Sequence, residues 1–167
     1  FVPGDGRGPM RRDIAQHPVI RLALRPHDPR RPLLVGEMNP LGGQDAFALF
    51  PVPRSRSGGR LATFLGLSDE EYLARFDRAN LCHGVWSDRV AKATARRLAA
   101  SPRPAYVLLG EKVCAAFDVE YEPFTVDERP DGATFAVLPH PSGINRIWCR
   151  SENVKLARET VETAIRI

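Results

Sequence analysis

The chain has 167 residues, 43% hydrophobic and 26% charged, with a formal net charge of +4, which suits one domain with a real core. No apolar stretch reaches the length of a membrane span, and Phe1–Arg12 lacks the apolar region of a signal peptide, so the expectation is a cytoplasmic protein, processed or taken from a longer chain since it lacks an initiator Met. The three cysteines, Cys82, Cys114 and Cys149, are too far apart for a zinc or iron–sulfur pattern and read as reduced thiols. All but three of the 24 basic residues are arginines; this is either a tendency to bind anions such as phosphate or a solvated surface.

Residues 1–31, rich in Pro, Arg and Gly, read as an N-terminal extension or arm, with Pro18–Leu24 a short edge segment. Residues 32–167 read as a single domain. Leu33, Leu34 and Val35 make an apolar run, which predicts a buried strand over Pro32–Gly36. Residues 37–60, with three prolines and four glycines, read as a long functional loop. A short helix is expected over Leu61–Leu67, and another after Ser68, whose cap is followed by Asp69, Glu70 and Glu71. A second strand is expected over Phe76–Leu81. Ser87 then caps a helix with Val90, Thr94 and Leu98 as its stripe and Ala91 and Ala95 beside it. Strands over Ala105–Leu109 and Phe135–Leu138 enclose a short helix over Gly110–Phe117, and a last helix from Ser151 carries Val154, Ala157, Val161 and Ala164. Alternating strands and helices predict an α/β fold: a three-layer α/β/α sandwich on a central, mainly parallel, four-stranded sheet.

Two segments carry the chemistry. The first is Gly36-Glu37-Met38-Asn39-Pro40-Leu41-Gly42-Gly43, and the second is His140-Pro141-Ser142-Gly143-Ile144-Asn145-Arg146. Each follows an apolar strand, and in open α/β sheets ligands bind at the carboxyl ends of strands. The first offers a carboxylate and an amide. The second offers an imidazole, a hydroxyl, backbone N–H groups and an arginine.

Together these segments resemble the uracil-DNA glycosylase superfamily, over about Leu33–Arg146. The family's second loop begins His-Pro-Ser or Asn-Pro-Ser and enters the DNA minor groove. Its first reads Gly-x-Asn-Pro-Gly in several branches and Gly-Glu-x-Pro-Gly in another; this chain has both the Glu and the Asn, with one residue more than either pattern. The resemblance implies that Glu37 acts as a general base or that Asn39 orients the water. Met38 and Leu41 would border the base. Where Leu41 stands, some branches carry a Tyr that excludes a 5-methyl group and others a Gly, which leaves substrate choice open. Phe50, within Phe47-Ala48-Leu49-Phe50-Pro51-Val52, matches the family's aromatic platform, and Asn80 matches the Asn that reads the pyrimidine edge. The iron–sulfur branches need four cysteines, so no cofactor or metal is implied.

The chemistry of the residue types is consistent with this. Breaking an N-glycosidic bond leaves negative charge on the base and positive charge on the sugar, so a donor belongs against the base and a water or carboxylate near the sugar. His140 can donate to the base; Glu37 or Asn39 can hold water; Asn80 offers both a donor and an acceptor. Phe50 supplies a stacking face and Ile144 a wedge for the vacated stack. Ser142, Gly143, Asn145 and Arg146 can meet phosphates, as can Arg54, Arg56 and Arg60 in an Arg–Ser–Gly segment that is otherwise a mobile solvated loop. Each residue also has a plainer reading: His140, Asn39 and Asn80 as turn residues, Glu37 as a surface or capping acid, Phe50 and Ile144 as core. His83 and Trp86 either border the pocket or pack, and Trp148 and Cys149 read as structural. No lysine lies in either segment, which disfavours a Schiff-base step. The expectation is a monofunctional, monomeric DNA glycosylase acting on uracil or a related altered base in single- or double-stranded DNA, with no membrane partner. The alternatives are the same pocket acting on a modified base in foreign DNA or on a free nucleoside or nucleotide, and a catalytically silent DNA- or base-binding protein.

Overall fold

The computed structural model describes residues 18–39, 45–142 and 145–166. Leu41, Gly143 and Ile144, and the arm before Pro18, lie outside the described residues.

The chain opens with α1 (Pro18–Leu24) and β1 (Leu33–Asn39), followed by a 3-10 turn at Asp45–Phe47. Next come α2 (Ser57–Phe64), α3 (Asp69–Arg75), β2 (Asp77–His83) and α4 (Asp88–Ala99). The second half holds β3 (Tyr106–Leu109), α5 (Glu111–Ala116), β4 (Thr125–Glu128) and β5 (Thr134–Leu138), then a 3-10 turn at Arg146–Cys149 and α6 (Ser151–Arg166). The sheet runs β2-β1-β3-β5-β4, parallel except for β4, which pairs antiparallel with β5. Residues alternate between two cores. One face buries Leu34, Val107, Leu109, Ala136 and Leu138 under α1, α2, α3 and α6. The other buries Leu33, Val35, Tyr106, Leu108, Phe135 and Val137 under α4 and α5. The α/β class and the layers therefore follow the sequence reading.

Several expectations need correction. The sheet has five strands, not four: β4 is a half-exposed edge whose Thr-Val-Asp-Glu sequence carries no apolar alternation. Pro18–Leu24 is a helix, not an edge segment, and it gives Val19, Ile20 and Ala23 to the interior. β1 continues to Asn39, so Glu37, Met38 and Asn39 stand on a strand rather than in a loop. The loop expected over 37–60 is interrupted by the 3-10 turn and ends where α2 begins. On α4 the buried residues are Ala91 and Ala95, while Val90 is exposed; the larger side chains flank the contact.

The local signals that did hold have clear physical causes. Ser68 forms a full capping box with Glu71: its hydroxyl accepts from the Glu71 N–H at 3.1 Å, and the Glu71 carboxylate accepts from the Ser68 N–H at 3.1 Å. Ser87 accepts from the Val90 N–H at 3.3 Å and caps α4. At the amino end of the sheet, buried Asp77 accepts from Arg103 at 2.7 Å, Arg31 at 2.9 Å and the Asp28 N–H at 2.8 Å. These bonds hold its carboxyl below the usual range against the opposing pull of burial. The cluster pins the α1–β1 connection to β2 at the end of the sheet away from the two motif segments.

Candidate active site

The chain leaves β1 toward β2 on one side and reaches β3 on the other, so the strand order reverses between β1 and β3. Such a switch point opens a crevice at the carboxyl ends of the strands. β1–β3 pairing ends at Val35 and Leu108, whereas β1 runs on beside β2 to Asn39. In this sheet that place lies past Leu109, at Gly110.

Gly110 has φ +97°, a conformation that favours glycine. A Cβ built there would lie 3.2 Å from His140 Cβ, 3.7 Å from His140 Cδ2 and 3.5 Å from Glu37 Oε1. The structure thus brings Glu37 from β1 and His140 from the end of β5 to the two sides of one glycine. Asn39, at the end of β1, is paired in register with His83, and its carbonyl accepts from the Gly84 N–H at 2.9 Å. His83 in turn meets Asp45 at 2.9 Å, a mostly exposed contact beyond the strand end.

His140 is held by its own turn. Its Nδ1 accepts from the Ser142 N–H at 3.1 Å, so in the neutral ring Nε2 carries the proton and is the donor. Its carbonyl accepts from Trp148 Nε1 at 2.9 Å and from Asn145 Nδ2 at 3.0 Å. Burial pushes the His140 pKa below its ordinary value; the Glu37 charge opposes that shift, and Lys112 adds to it. A neutral imidazole with an N–H to give is the form that can stabilise a departing anion without first losing a proton.

Asn80 sits on β2 opposite Gly36 of β1. The residue is 8% exposed, and among the described residues its side chain makes no hydrogen bond, so its carboxamide atoms keep access to solvent. Gly36 makes room for it: a Cβ there would lie 2.6 Å from Asn80 Oδ1 and 3.1 Å from Leu49 Cδ2. Glycine inside a strand marks such a close approach.

Phe50 lies on the same side of the sheet, half-buried against the core and edge-on to Phe47 at 5.3 Å between centroids. The segment carrying it is firmly held. Leu49 has φ +50°. The Tyr72 hydroxyl donates to the Leu49 carbonyl at 2.9 Å, and buried Arg78 donates to the Ala48 carbonyl at 2.8 Å. Burial pulls the Arg78 guanidinium below its ordinary value, with Tyr72 and Asp77 opposing. The sequence reading missed Arg78. Its only signal is its place two residues before Asn80, on the same face of a strand that also carries Asp77 and His83.

Met38 is half-buried, against the opposite core from Phe50. Of the arginines expected to meet phosphate, Arg54, Arg56 and Arg146 are exposed. Arg54 donates to Thr63 Oγ1 at 2.9 Å and pairs with Asp69 at 2.9 Å. Arg60 donates to the Pro141 carbonyl at 2.8 Å. The Asn145 side chain is spent within its own turn, accepting from the Ile147 N–H at 3.2 Å besides holding the His140 carbonyl. Trp148 is buried, as a structural residue should be, whereas Cys149 is exposed. Lys112, two residues after Gly110, was overlooked because it belongs to neither motif segment; it lies over the Trp86 ring at 5.3 Å. Among the described residues, no group of three or more metal-ligating side chains occurs, and no helix is long and apolar enough to cross a membrane.

No family model matches the chain, and no curated protein matches it either.

Proposed function

We propose that the protein is a monofunctional DNA glycosylase, of the uracil-DNA glycosylase type, that hydrolyses the N-glycosidic bond of uracil or a related altered base flipped out of DNA. The observation that carries this reading is the Asn80 carboxamide, which makes no hydrogen bond among the described residues and keeps access to solvent, on the Phe50 side of the sheet and one strand from Glu37 and His140. A carboxamide presents a donor and an acceptor side by side, which is what the edge of a pyrimidine takes. Phe50 stacks on the base, and His140 Nε2–H donates to the base oxygen that gains charge as the bond breaks.

The reaction balances without any added group. The electron pair of the C1′–N bond leaves with the base. Water attacks C1′, and its proton passes to the Glu37 carboxylate. The base leaves as an anion and takes up a proton from solvent, to which Glu37 returns the one it accepted, while the sugar keeps the hydroxyl, giving an abasic site. Glu37 is favoured over Asn39 as the water-positioning residue because its carboxylate oxygen approaches Gly110, as His140 also does. Exposed Arg56 and Arg146 are suited to phosphate contacts.

The test is cleavage of labelled oligonucleotides, single- and double-stranded, carrying uracil, hypoxanthine or 5-hydroxymethyluracil. Abasic-site formation should fall about 10²–10³-fold in His140→Ala, as when one oxyanion donor is removed, and should fall in Glu37→Gln more than in Asn39→Ala. Binding without base release, unaffected by these substitutions, would reduce the protein to a DNA-binding one. Release only from free nucleosides would move its substrate out of DNA.

A further inference from the structure

We infer that Arg60 is a positioning residue that fixes the His140 turn to the helix packed against the Phe50 platform, rather than a phosphate contact. Its effect on rate rests on the glycosylase reading; the tether itself does not.

The first turn of α2 is pressed onto the platform. A Cβ at Gly58 would fall 2.2 Å from the Leu49 carbonyl oxygen and 2.4 Å from that of Phe50. One at Gly59 would fall 2.4 Å from Arg54 Cα and 2.7 Å from the Pro51 oxygen. Only glycines allow backbone to approach backbone this closely. The Ser-Gly-Gly run therefore acts as a contact surface and not as a flexible linker.

The next residue reaches the other side of the site. Arg60 Nε donates to the Pro141 carbonyl at 2.8 Å. Its guanidinium lies 5.2 Å from the centroid of Phe64, one turn further along α2. Phe64 stacks on Trp148 at 4.4 Å with the rings 3° from parallel. Trp148 Nε1 donates to the His140 carbonyl at 2.9 Å. Two successive carbonyls, of His140 and Pro141, are thus held by two side chains that Phe64 bridges. One rigid helix sets both the stacking face and the imidazole, so their separation is fixed before a base enters. The flat guanidinium donates along its edge to a carbonyl while its face turns to a ring, a fixed geometry that a lysine's point charge does not reproduce.

Arg60→Gln, Arg60→Lys and Phe64→Leu discriminate the two roles. The readouts are the ¹⁵N resonances of the His140 ring, single-turnover cleavage, and the salt dependence of DNA binding. Tethering predicts shifted His140 resonances in all three variants, cleavage slowed about 10–100-fold, no rescue by lysine, and an unchanged salt slope. A phosphate contact instead predicts unmoved His140 resonances, rescue by lysine, and a slope about one smaller in Arg60→Gln. Unmoved His140 resonances in folded Arg60→Gln and Phe64→Leu overturn the inference whatever the activity. Shifted resonances in a protein that cleaves none of the oligonucleotides support the tether and refute the glycosylase reading.

Discussion

Replacing Gly36 with alanine tests the base pocket most directly. The added methyl would start 2.6 Å from Asn80 Oδ1, and 3.1 Å and 3.3 Å from two carbons of the Leu49 side chain, where ordinary contact begins at 3.4 Å. Leu49 need yield only a few tenths of an ångström, but its backbone is bound by Tyr72 and sits at positive φ. The carboxamide must therefore swing away by roughly an ångström, a displacement that costs about 100-fold when it misplaces a reacting partner. Overpacking should cost about 1–3 kcal/mol of stability. The assay is a double-mutant cycle with Asn80→Ala, read by denaturant unfolding and by single-turnover cleavage. Asn80→Ala removes the atom the methyl strikes, so Gly36→Ala should cost at least about 1 kcal/mol less in that background. Its effect on cleavage should also vanish there, because the base-reading group is already gone. Additive stability costs, or wild-type cleavage by Gly36→Ala alone, would refute the argument that the glycine exists to seat Asn80.

Asp77→Asn leaves Arg31 and Arg103 without their buried carboxylate and should cost about 3–5 kcal/mol, measured as a lower midpoint in urea. Because the native carboxyl is held below its ordinary value, its contribution is complete above the unfolded pKa of about 4 and is lost as pH falls through the native value. Acid unfolding of Asp77→Asn should therefore lack this low-pH contribution. His140 should titrate below 6.5 by NMR, since burial lowers it; the stability it carries as a neutral ring is complete above the unfolded value and lost as pH falls through the native one. Glu37→Gln removes the charge that opposes that shift, so His140 should titrate lower still; an unchanged or higher value would contradict the proximity of the two groups. Arg56→Ala and Arg146→Ala should each flatten the salt dependence of DNA binding by about one unit of slope, whereas Arg54→Ala, whose guanidinium is tied to Asp69, should change stability more than slope.

The parts of this molecule that were legible from its sequence are those with a short-range cause. Leu33–Val35, Tyr106–Leu109 and Phe135–Leu138 are buried on both faces, so unbroken apolar runs betray them. Ser68 and Ser87 bond within their own first turns. His140 stands out in the sequence through the His-Pro-Ser motif after a buried strand, and the turn that holds it is itself local, through Ser142 and Asn145. The misreadings arise where distant residues decide. Pro18–Leu24 is a helix because Val19, Ile20 and Ala23 find α3 and the core, not because seven residues favour helix by themselves. β4 exists because β5 offers it an edge. Residues 54–60 show this most clearly: Arg-Ser-Gly composition suggests a solvated strand of chain, yet Gly58 and Gly59 lie against the carbonyls of Leu49, Phe50 and Pro51. A glycine pair has the same appearance in a sequence whether it gives freedom or permits contact, and only the backbone on the other side distinguishes the two. That contact also makes the arginine next to the pair available to the His140 turn, 81 residues away in sequence.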